Sequence, residues 1–235
     1  MSLTLYELAG ADAAVRFSPH CWKARMALAH KGLDAECRPF RFTDKAEIAF
    51  SGQGLVPVLV EDGTAISDSW RIALHLEARH PERPSLFGDG QGRALARFVN
   101  AYADSAVVAP LRPLLTLDIF LRVHEKDRAY FRASREARFG RPLEELNSDT
   151  ARNVADFRAA LTPARTLLGD QPFLAGQAPA YTDYALFGLF MWARCISEVR
   201  LLEEDDPVFG WRERLLDAFG GLARNAPIGV ADAAA

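Results

Sequence analysis

An α/β unit over residues 1–80 and an all-α region over residues 93–235 are implied by three observations. Short apolar runs of strand character alternate with helical stretches up to residue 80. Pro81, Pro84, Gly88, Gly90 and Gly92 then crowd residues 81–92, which read as a linker. Beyond it, apolar residues recur at helical spacing and nothing reads as a strand.

Leu3 to Leu8 alternate and form the first strand. The unit is organised around the next motif, Phe17-Ser18-Pro19-His20-Cys21-Trp22. Ser18 is a good N-cap, since its side-chain oxygen accepts from a free N–H of the first turn. Pro19 suits the first helical position, which needs no N–H. This helix runs to Lys31, with Gly32 as a left-handed stop. Leu33 to Phe42 reads as a short strand near a sheet edge, because Pro39 has no N–H for a ladder. Thr43 to Phe50 reads as a short irregular helix. Leu55 to Val60, Asp62-Gly63 and Thr64 to Ile66 spell a hairpin. Pro57 is either a trans edge-strand proline or a cis residue that turns the Val56 backbone toward a ligand. Ser67-Asp68-Ser69-Trp70 opens a helix that buries Ile72, Ala73 and Leu76 and ends near His80.

In the second region, Leu95, Phe98, Val99, Tyr102 and Ala106 make a buried-type stripe. Pro110 and Pro113 are expected to break the run before Leu114 to His124 resumes it. Pro163 is expected to kink or restart a helix within residues 149–169. Tyr184 to Cys195 is nearly all apolar and is expected to be the buried centre. Trp211, Leu215, Leu216 and Phe219 mark a last helix, closed by Gly220-Gly221, and the Ala-rich tail is expected to be mobile. Seven basic residues lie between Arg122 and Arg141, interleaved with Glu125, Asp127 and Glu136. They read as a solvated helix face, with an anionic substrate or an RNA partner as the alternative.

Composition excludes several classes. A net charge of −3 points away from a nucleic-acid partner. No run of eighteen apolar residues exists, so no membrane span is expected. The N-terminus lacks a basic segment followed by an apolar core, which argues against a secretory signal. Cys21, Cys37 and Cys195 lack zinc spacing and are too few for a disulfide framework, so a reducing, cytoplasmic setting is expected. The five histidines are scattered and no metal site is expected.

The chemistry in these residues concerns anions. A strand that feeds a helix N-terminus through a short loop favours a negative group, and a thiolate is one. At the second helix start, Ser67, Asp68 and Ser69 either cap the helix or bind a ligand. In the binding case, Ser69 holds a carboxylate and Asp68 meets an ammonium group.

Together these motifs resemble a glutathione transferase. Val56-Pro57 is similar to that family's cis-proline loop, and Asp68-Ser69 to its acidic-serine pair for the γ-glutamyl group. Ser18-Pro19-His20-Cys21 resembles the C-P-x-C of glutaredoxins with Ser first. The resemblance implies a thioredoxin-like N-terminal domain that binds glutathione and an all-α C-terminal domain that lines a second-substrate pocket. Ser18-Pro-x-x-Trp22, Ala27 to Gly32, Asp68-Ser69-Trp70, Tyr181 to Tyr184 and Glu203 to Pro207 narrow it. They are similar to bacterial β-aryl etherases and their fungal relatives. The resemblance implies Ser18 as the catalytic hydroxyl, with Val56, Pro57, Asp68 and Ser69 for glutathione and Gln53 for its glycyl end. It places His20, Phe98 and Tyr102 in the pocket for a small hydrophobic electrophile or aryl ether, in a cytoplasmic homodimer. A non-catalytic glutathione or phenolic carrier, and a thiol transferase using Cys21, are the other implied classes. One departure is Ala180, where the family's buried helix usually starts with a Ser or Thr paired to Asp183. The other is Cys21, one turn from Ser18, expected to be a buried apolar residue.

Overall fold

β1 (Leu3–Leu8) is central to a four-stranded sheet in the computed structural model, which describes residues 2–88 and 90–230. Leu3, Leu5 and Glu7 alternate as its buried side chains. β2 (Glu36–Phe40) pairs with it in parallel, and β3 (Val58–Glu61) pairs antiparallel on the other side. β4 (Thr64–Ser67) completes the order β2-β1-β3-β4. Pro39 therefore lies on an edge strand, where a missing N–H is tolerated. Asp62 and Gly63 take φ of 47° and 85°, the left-handed pair of a tight hairpin turn. The Val56–Pro57 peptide is cis, and the ladder begins only at Val58. The hairpin's first strand is thus shorter than the apolar run that suggests it.

α1 (Pro19–His30) joins β1 to β2, and α2 (Ser69–Arg79) follows β4, burying Ile72, Ala73 and Leu76. The result is an α/β domain of thioredoxin-like form, followed by an all-helical domain. The helices are α3 (Gly90–Tyr102), α4 (Val108–Arg122), α5 (Glu125–Phe139), α6 (Thr150–Ala160), α7 (Thr162–Asp170), α8 (Tyr181–Ile196) and α9 (Pro207–Gly221). α3 starts at Gly90, before the expected end of the linker at residue 92. The Ala-rich tail from residue 231 lies outside the described residues.

Several expectations need correction. Pro110 and Pro113 do not break the chain's helical course. One π-helical turn, Ala103–Val107, leads straight into α4, and the helix continues through both prolines, with Pro113 in its interior. The buried stripe of this segment is Ala96, Asn100, Ala103 and Val107. Leu95 and Phe98 are exposed instead. Pro163 does restart the helix, since α6 ends at Ala160 and α7 carries Pro163 in its first turn. α9 loses helical geometry at Ala218, and Phe219 adopts φ 54° ahead of Gly220 and Gly221.

α8 is the axis of the helical domain, buried along almost its whole length. Asp183, at its N-terminus, accepts from Ala180 N (3.0 Å), Leu174 N (2.7 Å), Ala175 N (3.2 Å) and Trp211 Nε1 (2.8 Å). One buried carboxylate thus ties the preceding loop and α9 to α8. Ala180 has no side-chain oxygen to return the bond, so the cap is half made.

Candidate active site at the N-termini of α1 and α2

Ser18 caps α1 in an extended conformation (φ −63°, ψ 126°), and its Oγ accepts from Cys21 N at 3.3 Å. The first turn of α1 holds no acidic side chain, so its positive end is not neutralised by the chain. The hydroxyl lies within hydrogen-bonding reach of the buried Cys21 sulfur, a weak acceptor, and borders the inter-domain cavity, where it can donate to a ligand. Cys21 is fully buried, and desolvation first, with buried Glu7 adding to it, pushes its thiol up to about 12. It remains a thiol behind the helix end.

The position of Ser18 is set by the helical domain. A Cβ on Gly188 of α8 would lie 2.4 Å from Pro19 O, so only glycine lets the start of α1 dock there. Lys23 is fully buried and donates to Asp104 Oδ1 (2.6 Å) and Asn100 Oδ1 (3.1 Å) across the domain boundary. His30, at the other end of α1, meets Tyr184 Oη (2.7 Å) and Ser85 O (3.0 Å). Its Nε2–H donates to the carbonyl, and in the neutral ring, which burial favours, Nδ1 accepts from the tyrosine hydroxyl. Buried Asp127 of α5 holds the loop after β2, accepting from Phe42 N and Thr43 N at 3.0 Å each.

Two hollows adjoin beside the start of α1, and Ser18 borders the second of them. A groove of about 370 Å³ runs past Gln53, Val56, Asp68, Ser69 and Asp104. A cavity of about 280 Å³ lies between the domains, bounded by Ser18, Phe42, Val56, Phe131 and Trp192. His20, Leu55 and Val56 border both. Val56 lies outside the ladder, and its backbone N–H and C=O have no protein partner among the described residues. Asp68, at φ 78°, caps α2: its Oδ1 accepts from Trp70 N (3.0 Å) and Arg71 N (3.1 Å), which leaves Oδ2 open to the groove. Ser69 contributes the first N–H of α2. Asp68 N donates to Pro57 O at 3.3 Å, joining this helix start to the proline loop.

The expected site residues divide. Ser18, Val56, Pro57, Asp68, Ser69 and His20 are brought together. Gln53 borders the groove, but its amide is used by its own loop: Nε2 donates to Leu55 O (2.7 Å) and Oε1 accepts from Leu55 N (2.6 Å). It shapes the approach to Pro57 rather than offering a free amide. Phe98 and Tyr102 are misplaced by the sequence reading. Phe98 is 68% exposed, and Tyr102 Oη donates to Ala160 O (2.6 Å) in a separate apolar cavity against α6 and α7. The reason is helical phase. Asn100 and Asp104 face α1, and Phe98 and Tyr102, two residues from Asn100, point some 160° away from it on this turn.

His20 is half exposed, and its Nδ1 stands 3.7 Å from Asp104 Oδ1. Desolvation, then the charges of Lys23 and Arg112, lower its pKa, so the ring is neutral at neutral pH. Sequence reasoning missed Lys45 and Arg112 of the inter-domain cavity, and it gave Arg135 and Arg138 a site for an anionic substrate only as the alternative to a solvated face. A signal existed: Phe131, Arg135, Arg138 and Phe139 share one face of α5. Arg132, between them in sequence, points to Glu136 and Glu144. Among the described residues, no group of three His, Cys, Asp or Glu side chains is placed to hold a metal ion.

Comparison with known proteins fits this geometry. Residues 94–218 match the family model for the glutathione S-transferase C-terminal domain, and residues 13–84 match that for the N-terminal domain. The chain belongs to the glutathione S-transferase family. Glutathione S-transferase 1 of Dianthus caryophyllus is 36% identical over 45% of this chain and 48% of its own length. The chain spans about half the length of the first curated relatives it matches. Glutathione S-transferase U22 of Arabidopsis thaliana is 25% identical over 74% of this chain and 69% of its own. Among glutathione S-transferase structures, GSTFuA3 of Phanerochaete chrysosporium superposes with a TM-score of 0.82 at 22% identity, over 92% of this chain and 96% of its own. CsGST63524 of Ceriporiopsis subvermispora, solved in complex with glutathione, gives 0.79 at 22% identity, over 93% and 96%. At such identity the two superpositions establish the shared fold.

Proposed function

We propose that this glutathione S-transferase activates the glutathione thiol through Ser18 for attack on a hydrophobic, aromatic electrophile. The observation that carries the reading is the Ser18 hydroxyl at a helix N-terminus with no acid in its first turn, with the Val56 backbone, unpaired among the described residues, bordering the same cavity. The groove suits a γ-glutamyl tripeptide. Val56 N–H and C=O pair with the central amide, Asp68 Oδ2 faces the ammonium, and the Ser69 N–H and hydroxyl receive the adjacent carboxylate. Lys45 is in no ion pair among the described residues, and it replaces Gln53 as the partner for the glycyl carboxylate.

Ser18 Oγ–H donates to the sulfur, and the α1 N-terminus adds a favourable potential. Both stabilise the thiolate and lower the thiol pKa. Attack forms a C–S bond while a halide or aryloxide leaves with its bonding pair. Cleavage of a β-aryl ether belongs to this chemistry and is the finer reading favoured by the etherase-type motifs. Burial of Cys21 speaks against the disulfide-exchange alternative. The protein is read as a cytoplasmic homodimer, with exposed Leu95 and Phe98 on α3 as apolar contact surface.

The test is a glutathione-dependent turnover screen with an aryl halide and a β-aryl ether, run on the wild type and Ser18→Ala. Turnover of either substrate that falls in the variant supports the reading. No turnover with either, alongside tight glutathione binding, would make the protein a carrier.

A further inference from the structure

We propose that the inter-domain cavity takes an aromatic electrophile bearing a carboxylate, with Arg112, Arg135 and Arg138 holding the anion against an aromatic wall. The inference rests on the transferase reading only for which end reacts, at Ser18.

The cavity's charge is one-sided. Among the described residues four cationic side chains border it, Lys45, Arg112, Arg135 and Arg138, and no Asp or Glu does. Elsewhere in the chain arginines find carboxylates: Arg132 with Glu144, Arg165 with Asp206, Arg224 with Asp217. The three cavity arginines make no ion pair among the described residues. Arg135 is fixed in place by stacking, with its guanidinium 4.5 Å from the Phe131 ring centroid and 5.3 Å from that of Phe42. Among the described residues its one hydrogen bond is to Ser134 Oγ at 2.7 Å, which leaves most of its donors without an acceptor there. Burial first, and then the charge of Arg138, lowers its pKa.

Arg135 is partly buried, and a partly desolvated charge is costly without a counter-charge, which a ligand anion would supply; Arg112 and Arg138 stand exposed beside it. Glutathione does not account for all of them. Its ammonium end falls in the groove with Asp68 and Asp104, and its glycyl end falls to Lys45 at the Gly54–Val56 edge. The three arginines stand on α4 and α5, with Phe131, Phe139 and Tyr130 beside them. Flat aromatic faces and planar guanidiniums together suit an arene carrying a planar carboxylate. The reaction keeps that group unchanged. The glutathione thiol gives its proton to solvent, sulfur bonds to the ring carbon, and chloride or aryloxide departs with the electron pair.

A matched pair of ligands tests this: chloronitrobenzoate and the corresponding chloronitrobenzamide, identical in ring and leaving group. Equilibrium binding to the full chain is followed by quenching of tryptophan fluorescence, and turnover with glutathione is measured beside it. The expected result is about ten- to a hundredfold tighter binding of the benzoate, the worth of one charge-assisted pairing. The ratio should collapse toward one in Arg135→Gln/Arg138→Gln. Arg138→Gln alone, which leaves the Arg135 stacking in place, should lower it severalfold. Equal binding of the two ligands, or an unchanged ratio in folded variants, would overturn the proposal. Turnover of the benzamide with no benzoate preference would sink this inference and leave the transferase reading standing. Benzoate preference without turnover of either ligand would do the reverse.

Discussion

The N-termini of α1 and α2 open onto adjoining hollows, yet they are finished in opposite ways. α1 is capped by a neutral hydroxyl through one 3.3 Å bond, with no acid in its first turn. α2 is capped by a carboxylate through two bonds of 3.0 and 3.1 Å. A helix end has the same positive character wherever it occurs. What the chain adds therefore decides the ligand. At Ser18 the potential is left for an anion, which suits a thiolate. At Asp68 the chain has supplied its own anion, and the exposed remainder of that carboxylate suits an ammonium. Glutathione carries both groups, and the Val56 backbone lies between the two helix ends.

The comparison can be broken most severely at the seat of α1. Gly188→Ala places a methyl against the Pro19 carbonyl, a backbone atom that cannot step aside. Destabilisation near the upper end of the roughly 1–3 kcal/mol typical of overpacking is expected from urea unfolding. Activity per folded molecule should fall with it, because Pro19 adjoins Ser18. α2 meets α8 through side chains instead, with the Trp70 and Tyr181 ring centroids 5.6 Å apart.

At α2 the cap and the charge can be separated. Asp68→Asn keeps an N-cap acceptor and removes the negative charge, so the fold should hold while glutathione binding weakens about ten- to a hundredfold. Asp68→Ala should lose that affinity and, in addition, about 0.5–2 kcal/mol of stability. Calorimetric titration with glutathione and urea unfolding together check both statements. Equal stability of the two variants would mean that Asp68 does not cap α2.

A third helix start sharpens the contrast. α8 begins at Ala180 with half a capping box, so Ala180→Ser should stabilise the protein by about 0.5–2 kcal/mol at an unchanged m-value. The smallest effect is expected at the far end of α1. Burial first, opposed by the Ser85 carbonyl, lowers the pKa of His30 below its ordinary value of 6.5. The unfolded chain therefore binds the His30 proton more readily than the folded one. The stability from the neutral ring is complete above pH 6.5 and shrinks as pH falls from 6.5 toward the lower folded value. His30→Gln should flatten that part of the pH–stability curve, measured as the shift in the urea midpoint.

The legibility of these features followed their range in the chain. Ser18-Pro19, the Asp62-Gly63 turn and the Asp68 cap are local devices, and all could be read from neighbouring residues. The edge position of β2 was readable from Pro39 for the same reason. Gly188 was not, because its meaning depends on an approach between α1 and α8, far apart in sequence. The phase of α3 was misread because Leu95, Phe98 and Tyr102 are apolar, whereas the inward face carries Asn100 and Asp104 for Lys23. A buried polar cluster inverts the usual rule that the apolar stripe faces in. Arg135 and Arg138 were read with Arg132 as one solvated row, although only Arg132 of these three has its carboxylate partners on α5 and beyond.

The central claim is that Ser18 and the open end of α1 make the glutathione thiol acidic. The direct measurement is an ultraviolet titration of the bound thiol in the wild type, Ser18→Ala and Cys21→Ala. A hydrogen bond to a charged group contributes roughly 1.5–3 kcal/mol, so the thiol pKa should rise by about one to two units in Ser18→Ala. Glutathione affinity should change little, and Cys21→Ala should titrate like the wild type. An unshifted titration in Ser18→Ala, with the thiolate lost or a mixed disulfide abolished in Cys21→Ala, would contradict the account and move the chemistry to the cysteine.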